Sequence, residues 1–269
     1  MVWQHINAHH FGQPSPDKLQ SHKYLAARFP GGFRRGLSIG CGTGEKELNL
    51  LKLGIVEDFD LFELSERRIA SGRERAASLG LTKKVKWTLG DAFALSVREQ
   101  YDLIYWHAAL HHMLDVPQAV LWCKFALKPG GTLVFNEYTG PARFQWSEAS
   151  MEIGREVRAA MPKAIKNKIR EATGKFSEKI SRPSVDRMKK VDPSEAADSN
   201  RIISSIKNSF VAVELKHLGG WLYQLALNDV HPFLLTKEEI LWMRSILSCD
   251  AGLARAGFSH FTFGIAENR

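Results

Sequence analysis

A glycine-rich stretch and a series of carboxylates and histidines in the first half of the chain could bind a ligand and move protons. The stretch Leu37–Glu45 reads LSIGCGTGE, with glycines at alternate positions after a short apolar run. A phosphate-binding P-loop would end in Gly-Lys-Ser/Thr, whereas here Gly44 is followed by an anion, Glu45. A dinucleotide-binding loop would read GxGxxG, which this spacing does not match. The loop alone therefore does not identify its ligand.

Further polar residues follow the next apolar runs of the sequence. Glu63 comes nineteen residues after Gly44, at the end of FDLFEL, where a carboxylate can accept both hydroxyls of a ribose. Asp91 lies in GDAF, directly after VKWTLG. Histidines 107, 111 and 112 follow in YDLIYWHAALHHM, and Glu137 lies in TLVFNEY. Each apolar run thus ends in side chains that could bind a ligand.

The runs themselves indicate how these residues are positioned. From residue 35 to residue 138, short strand-like runs alternate with segments of helical periodicity such as EKELNLLKLG and SERRIASGRERAASLG. This alternation predicts βαβ units and a parallel sheet. Ligands of such sheets lie at the carboxyl ends of the strands, where the strand order reverses. We therefore expect the polar residues to gather at one edge of the sheet.

Taken together, GxGxG, Glu63, Asp91 and LKPGG before the fifth strand resemble, in order and spacing, the motifs of class I S-adenosylmethionine-dependent methyltransferases. The resemblance covers residues 35–138 and is specific only as a set. It implies an α/β fold, with a Rossmann-like, seven-stranded, mostly parallel sheet, helices on both faces and a helical lid inserted after the fifth strand. It also implies S-adenosylmethionine as the cofactor.

The same resemblance implies roles for individual residues. The glycines would let the backbone approach the methionine and ribose, Glu63 would accept from the ribose hydroxyls, and Asp91 would accept from the adenine amino group. His107 would face the methionine moiety. The expected cofactor-binding residues are Gly40, Cys41, Gly42, Gly44, Glu63, Leu64, Asp91, Ala92, Phe93, Trp106 and His107.

Methyl transfer from a sulfonium is an in-line displacement, so the protein mainly aligns the reactants and excludes water. An alcohol acceptor also needs a base, and the candidate catalytic residues are His107, His111, His112 and Glu137. His107 and His111 are four residues apart and could share a helix face and bind a metal with Glu137. A packing role for His112 is the alternative to catalysis. No metal is expected, because the reaction needs none.

The acceptor is expected to contact Tyr138, Arg143 and Trp146, which combine a cation with flat aromatic faces suited to a sugar ring, an aromatic compound or a nucleotide. Alternatively, Phe144 and Trp146 anchor the lid on the sheet. The segments NEYTGPARFQW and DPSEA are similar to bacterial methyltransferases of polysaccharide and secondary-metabolite pathways. We therefore expect an O-methyltransferase of a sugar, a nucleotide sugar or a secondary metabolite.

The sequence divides into four predicted segments. Residues 1–34 form a helical lead-in, 35–140 the cofactor-binding core, 141–205 a basic helical lid, and 206–269 the strands that complete the sheet. Thr236 and Glu239 have the spacing of a capping box, which predicts the start of a helix between the last two strands.

The formal charge of +8 is concentrated in one region, since residues 152–190 contain twelve Lys or Arg against five Asp or Glu. A basic lid favours an acceptor that carries phosphate or carboxylate; a solvated helix pair is the alternative. RNA methylation would also use such charge, but no RNA-binding module and no NPPY tetrapeptide after the fourth strand are present. A nicotinamide-dependent oxidoreductase and a cofactor-binding protein without catalysis are the alternatives outside the methyltransferases.

The remaining sequence features concern the compartment. No apolar run approaches the roughly 18 residues of a membrane span, and the first thirty residues lack a signal-peptide core. The three cysteines, Cys41, Cys123 and Cys249, form neither a disulfide framework nor a CxxC site. We expect a cytoplasmic protein without membrane insertion. The acceptor, the acceptor atom and the oligomeric state are left open.

Overall fold

The computed structural model describes residues 2–11, 20–230 and 235–269, and only the backbone of residues 2–4. The helices are α1 Val2–His10, α2 Gln20–Arg28, α3 Glu45–Lys52, α4 Glu66–Ser78, α5 Val116–Ala126, α6 Glu148–Ala159, α7 Lys163–Thr173, α8 Val185–Val191, α9 Ile202–Ser209, α10 Tyr223–Ala226 and α11 Lys237–Arg255. The strands are β1 Phe33–Ile39, β2 Val56–Glu63, β3 Val85–Leu89, β4 Tyr101–His107, β5 Leu127–Tyr138, β6 Ala212–Gly219 and β7 Phe261–Glu267.

The seven strands form one sheet in the order β3-β2-β1-β4-β5-β7-β6. The pairings β3–β2, β2–β1, β1–β4 and β4–β5 are all parallel. The predicted Rossmann-like, seven-stranded, mostly parallel sheet is therefore confirmed. The strand order reverses between β1 and β4, so the carboxyl ends of these two strands define the expected ligand crevice.

The central strands are apolar on both faces, as buried parallel strands are. Leu37 of β1, Ile104 and Trp106 of β4, and Leu133 and Phe135 of β5 are almost completely buried in one apolar cluster. The buried core therefore fixes the positions of the carboxyl ends of these strands.

The chain divides into two compact units. The sheet unit consists of residues 19–139, 194–216 and 262–269, and the helical unit consists of residues 1–18, 140–193 and 217–261. Residues 194–205, the last part of the predicted lid, thus belong to the sheet unit. The lid function of residues 141–193 stays a prediction.

The helical unit has its own apolar core, in which Ile165 and Ile169 of α7 and Met243 and Leu247 of α11 lie in one buried cluster. The same unit contains an ion pair with a buried guanidinium, in which Arg158 donates to both carboxylate oxygens of Asp229 at 2.8 Å.

The predicted capping box at the start of α11 is confirmed: the Thr236 side chain accepts from Glu239 N and the Glu239 side chain accepts from Thr236 N. None of the described helices has the length and unbroken apolar character that crossing a bilayer requires.

Much of the basic charge of residues 152–190 is balanced inside the helical unit. Among the described residues, five of the twelve cations form ion pairs with carboxylates: Arg155 and Arg182 with Glu148, Arg158 with Asp229, Lys166 with Glu178, and Lys168 with Glu239. The electrostatic attraction of this region for an anion is correspondingly weaker than its formal charge indicates.

Helix α4 packs onto the sheet through a glycine. A Cβ at Gly72 would overlap the six-membered ring of Trp87 in β3 and lie 2.9 Å from the carbonyl oxygen of Thr43. A Cβ at Gly44, the residue before α3, would also overlap the Trp87 ring. The indole of Trp87 therefore occupies the space left by the missing side chains of Gly72 in α4 and Gly44 before α3.

We expect Gly72→Ala to destabilise the protein. Overpacking of a close contact costs about 1–3 kcal/mol, whereas the gain from replacing a helical glycine is only about 0.5–1 kcal/mol. Urea denaturation measures the change. The matched control is Gly252→Ala in α11, where a Cβ meets only the flexible end of Arg255 at 4.0 Å, so this variant should gain stability. Equal effects of the two substitutions would contradict the proposed packing.

Candidate active site

The glycine-rich loop follows β1 at the carboxyl edge of the sheet. Gly40, Gly42 and Gly44 have φ of 65°, 60° and 65°, in the left-handed region that glycine adopts without strain. A Cβ at Gly40 would lie 3.0 Å from the Cβ of Ala109 in the segment after β4. A Cβ at Gly42 would meet nothing within 4 Å. The backbone around Gly42 thus lines open space, which is what close approach to a ligand requires.

Glu63, the last residue of β2, ties the loop to the neighbouring strand. Its Oε2 accepts from Gly42 N at 2.8 Å, and its Oε1 accepts from Leu64 N and Ser65 N at 3.0 Å each. A carboxylate offers about four lone-pair positions, so this buried group can still accept a ligand hydroxyl. The sequence indicated a ligand-binding role for Glu63 but not its function as the anchor of the loop.

In the segment after β3, an aromatic side chain packs against two tryptophans of other elements. Asp91 is exposed and its Oδ1 accepts from Phe93 N at 2.9 Å, while Ala92 is fully buried. The ring of Phe93 stacks on Trp106 with centroids 6.4 Å apart and contacts the edge of Trp122 at 5.2 Å. Trp106 itself is fully buried and its Nε1 donates to a sulfur in α5. Trp106 was expected to contact the cofactor; in the structure its side chain supports Phe93 and offers no surface of its own.

His107 ends β4, beside β1 at the reversal of the strand order. Burial lowers its pKa, partly offset by the nearby Glu137 carboxylate, so the imidazole is neutral at neutral pH and able to accept a proton. The next residue, Ala108, has a φ of 52°, which is unusual for a residue with a Cβ. Its N–H donates to Asn136 O at 2.9 Å, and the chain turns sharply into residues 109–112.

Glu137 near the end of β5 holds this turn in place. Its Oε1 accepts from Ala109 N at 2.9 Å and Leu110 N at 3.0 Å, and its Oε2 accepts from His111 Nδ1 at 2.6 Å and, more weakly, from His111 N at 3.4 Å. The carboxylate is 1 % exposed. Such a group has little capacity left for a substrate proton, so the geometry favours a positioning role for Glu137.

The comparisons with known proteins agree with this geometry. Residues 37–135 match the "Methyltransferase domain" family. The chain contains a class I, S-adenosylmethionine-dependent methyltransferase domain. The matched residues include the glycine loop, Glu63, Asp91 and the turn after β4, and the resemblance inferred from the sequence is confirmed.

Curated relatives of the methyltransferase domain act on different compounds. The chain is 27 % identical over 111 residues to a ubiquinone/menaquinone biosynthesis C-methyltransferase of Dinoroseobacter shibae, covering 41 % of this chain and 44 % of that protein. It is 30 % identical over 133 residues to a malonyl-[acyl-carrier protein] O-methyltransferase of Haemophilus ducreyi, covering 43 % and 51 %. The chain thus matches about half the length of these relatives.

Solved structures resemble the fold over most of the chain. The geranyl diphosphate C-methyltransferase of Streptomyces coelicolor A3(2) has a TM-score of 0.56 at 12 % identity, covering 93 % of this chain and 75 % of that chain. A sarcosine dimethylglycine methyltransferase structure from Galdieria sulphuraria has a TM-score of 0.51 at 15 % identity, covering 93 % and 86 %. At such identities the likeness shows the fold alone.

The expected acceptor-binding residues fall in different units. Tyr138 lies in the sheet unit, 4 % exposed, with its ring against the edge of His111 at 6.4 Å. Arg143 and Trp146 lie in the helical unit. Arg143 donates to Asp192 O at 3.5 Å, and the Trp146 ring stacks on Phe144 at 5.6 Å. The structure therefore brings Tyr138 and His111 together, and the acceptor role of Arg143 and Trp146 stays a prediction.

The methyltransferase domain also contains a buried carboxyl group that the sequence analysis did not single out. Glu47 of α3 is 2 % exposed, and its Oε1 accepts from Ser38 Oγ at 2.8 Å. Burial raises its pKa from 4.5 to about 7. The group therefore titrates near neutral pH in the first turn of α3, the helix that follows the glycine loop. Its place in the apolar spacing of α3, between the loop and Leu48, is the signal in the sequence that could have identified it.

We expect Glu47→Gln to flatten the pH dependence of stability. Because the pKa of Glu47 is higher in the folded protein than in the unfolded chain, its contribution to stability is complete below pH 4.5 and is lost as the pH rises through about 7. The amide cannot ionise and still accepts from Ser38, so the variant should be more stable than the wild type at pH 8. Urea denaturation between pH 5 and pH 8 measures the slope, and Glu45→Gln, an exposed neighbour on the same helix, should leave it unchanged. An unchanged slope in Glu47→Gln would refute the assignment.

We expect Glu137→Gln to destabilise the methyltransferase domain by about 1–3 kcal/mol, the cost of leaving buried hydrogen-bonding groups without acceptors. The amide nitrogen would face either the N–H groups of the turn or those of His111. Glu267→Gln, whose partners Arg28 and Arg269 are at the surface, should change stability by less than about 1 kcal/mol. Thermal unfolding compares the stability of both variants with that of the wild type. A Glu137→Gln variant as stable as the wild type would exclude the positioning role.

Proposed function

We propose that the protein transfers the methyl group of S-adenosylmethionine to an oxygen atom of a small-molecule acceptor. The observation that carries the proposal is the link between Glu63 and Gly42 at 2.8 Å, which fixes an open, glycine-lined backbone beside a buried carboxylate at the strand reversal of a methyltransferase domain. A ribose needs a hydrogen-bond acceptor, and the methionine part needs close backbone approach; this edge offers both.

The cofactor roles follow from the same edge. Glu63 accepts from a ribose hydroxyl through its remaining lone pair, exposed Asp91 accepts from the adenine amino group, and Phe93 presents an aromatic face to the adenine ring. Leu64 is 76 % exposed and Leu89 is 55 % exposed, and in the β2–β3 register Leu89 pairs with Glu63. Two exposed leucines beside these polar groups suit the two faces of a nucleobase.

The chemical step is a displacement at carbon. The acceptor oxygen forms a bond to the methyl carbon, the carbon–sulfur bond breaks, and sulfur keeps the electron pair, which leaves S-adenosylhomocysteine. The hydroxyl proton passes to a base, for which His107 is the best candidate because burial keeps it unprotonated at neutral pH. Glu137 then acts on the turn that follows β4 rather than on the acceptor.

The names of curated relatives bear on the class of acceptor. Curated relatives carry names for C-methylation in ubiquinone and menaquinone biosynthesis and for O-methylation of malonyl-[acyl-carrier protein] and of 27-O-demethylrifamycin SV. We propose O-methylation of a sugar, nucleotide sugar or secondary metabolite, supported by His107 as a candidate base at the carboxyl end of β4. The paired cations of residues 152–190 weaken the argument for an anionic acceptor and for RNA methylation alike.

Titration of the protein with S-adenosylmethionine, S-adenosylhomocysteine and NAD tests the proposal. We expect binding of the first two ligands and not of NAD. Asp91→Ala should weaken the binding of S-adenosylmethionine by about 1.5–3 kcal/mol, the value of a hydrogen bond to a charged group. This corresponds to a roughly 10- to 150-fold loss of affinity. Isothermal titration calorimetry gives both results.

Asp58→Ala is the matched control, because Asp58 is an exposed aspartate at the other end of β2 and should leave affinity unchanged. Binding of NAD alone would exclude the methyltransferase proposal. Binding of S-adenosylmethionine without methyl transfer to any of a panel of hydroxylated acceptors would favour a non-catalytic cofactor-binding protein.

A further inference from the structure

We propose that His111, His112 and Glu195 bind a divalent transition-metal ion. These three residues, here called the His-His-Glu cluster, all belong to the sheet unit. The two histidines lie in the turn after β4, and Glu195 lies in the DPSEA segment, more than eighty residues later in the sequence. The binding itself does not depend on the proposed methyl transfer.

The distances fit a metal site that contracts slightly around its ion. Glu195 Oε1 lies 3.7 Å from His111 Nε2, and Glu195 Oε2 lies 3.9 Å from His112 Nε2. All three residues offer ligand atoms within 4.8 Å of one another. Ligand atoms that are each about 2.0–2.1 Å from a zinc ion lie about 3.3 Å apart in a tetrahedral site. A contraction of at most about 1.5 Å between any two of the residues' ligand atoms, within reach of side-chain rotation, therefore brings one atom of each residue to bonding distance.

Both imidazoles are held from the side opposite to Glu195. Glu137 accepts from Nδ1 of His111 at 2.6 Å, and Ser194 Oγ lies 3.0 Å from Nδ1 of His112. A carboxylate only accepts, so the proton of a neutral His111 resides on Nδ1, and Nε2, which then carries the lone pair, is the atom that lies 3.7 Å from Glu195. An oxygen partner on the second ring nitrogen is the usual support of a metal-binding histidine.

The segment that carries Glu195 is fixed to the histidine turn by its backbone. Ala197 N donates to His111 O at 3.2 Å, and Asp198 Oδ2 accepts from Val116 N at 2.9 Å, directly at the start of α5. Arg201 holds the other oxygen of Asp198 at 2.6 Å. These hydrogen bonds hold the segment that contains Glu195 beside the two histidines without a metal ion.

The donor set indicates the class of ion. Two imidazole nitrogens and one carboxylate suit zinc and the neighbouring divalent ions of the first transition row, whereas magnesium and calcium prefer oxygen ligands throughout. The side chains of His112 and Glu195 are 32 % and 28 % exposed. An ion held by three protein ligands would therefore keep a position open for water or for an oxygen of another molecule, as catalytic zinc sites do.

Metal titration of the full chain tests this proposal in the absence of S-adenosylmethionine and of any acceptor. The protein is first freed of metal with a chelator and then titrated with Co²⁺, followed by its visible absorption, and with Zn²⁺ by calorimetry. We expect one ion per chain and a Co²⁺ spectrum typical of four or five ligands. Because neither readout involves the cofactor, failure here leaves the methyltransferase proposal intact, and the reverse also holds.

Variants separate the cluster from incidental binding. Glu195→Gln and His112→Ala each remove one ligand and should weaken binding by more than 100-fold, whereas Ser194→Ala removes only a support and should weaken it by about 10-fold to 100-fold. The control is His9→Ala, which alters a different histidine pair, His5 and His9, with ring centroids 4.2 Å apart. Circular dichroism and thermal unfolding establish that each variant is folded.

The result that overturns the proposal is equally definite. Binding that is weaker than millimolar in the wild type, or that is unchanged in both Glu195→Gln and His112→Ala, would mean that the cluster is a hydrogen-bonded group without a metal. A loss of binding in His9→Ala equal to that in His112→Ala would assign the signal to surface histidines in general.

Discussion

The candidate site depends on the hydrogen bonds that the buried carboxylate of Glu137 accepts. Glu137 lies near the end of β5, and its carboxylate accepts hydrogen bonds from the N–H groups of the turn that follows the neighbouring strand β4. Backbone N–H groups at such a turn have no ladder partner and are costly to bury unsatisfied. One side chain therefore satisfies the turn, orients His111 and permits the left-handed backbone at Ala108 just before it.

Residue type and spacing were sufficient for the sheet and for the cofactor-facing edge. Apolar runs that alternate with helical segments identified all five strands up to β5. Four of them, β1, β2, β4 and β5, are largely buried and therefore recognisable as apolar segments, whereas β3 has no fully buried residue and was identified by its place in the alternation. The position of Glu63 at a strand end was equally informative, since strand ends in a parallel sheet converge on one edge. The capping box of α11 was visible because its two residues are local in sequence.

The partners of a buried polar group are not local, and here the sequence was less informative. Glu137 was a candidate base from the sequence and Glu47 was not considered, yet the carboxylate of Glu137 accepts several hydrogen bonds from the turn after β4, whereas Glu47 accepts from Ser38 and has a raised pKa. The methyltransferase resemblance implied a cofactor contact for Trp106, but its side chain is fully buried in the apolar core. Glu195 became notable only when the fold brought it to the histidine turn.

The order of the strands has a consequence for synthesis on the ribosome. β7 follows every other strand in the sequence but lies between β5 and β6 in the sheet. During synthesis from the N-terminus, β6 is therefore made before its neighbour in the sheet. It can form its strand pairing only after β7 has been synthesised. Asn268, just after β7, then donates its side-chain amide to the carbonyls of Lys124, Leu127 and Lys128. The strand of this sheet that is synthesised last thus lies inside it, and the residue that follows that strand ties it to α5 and β5.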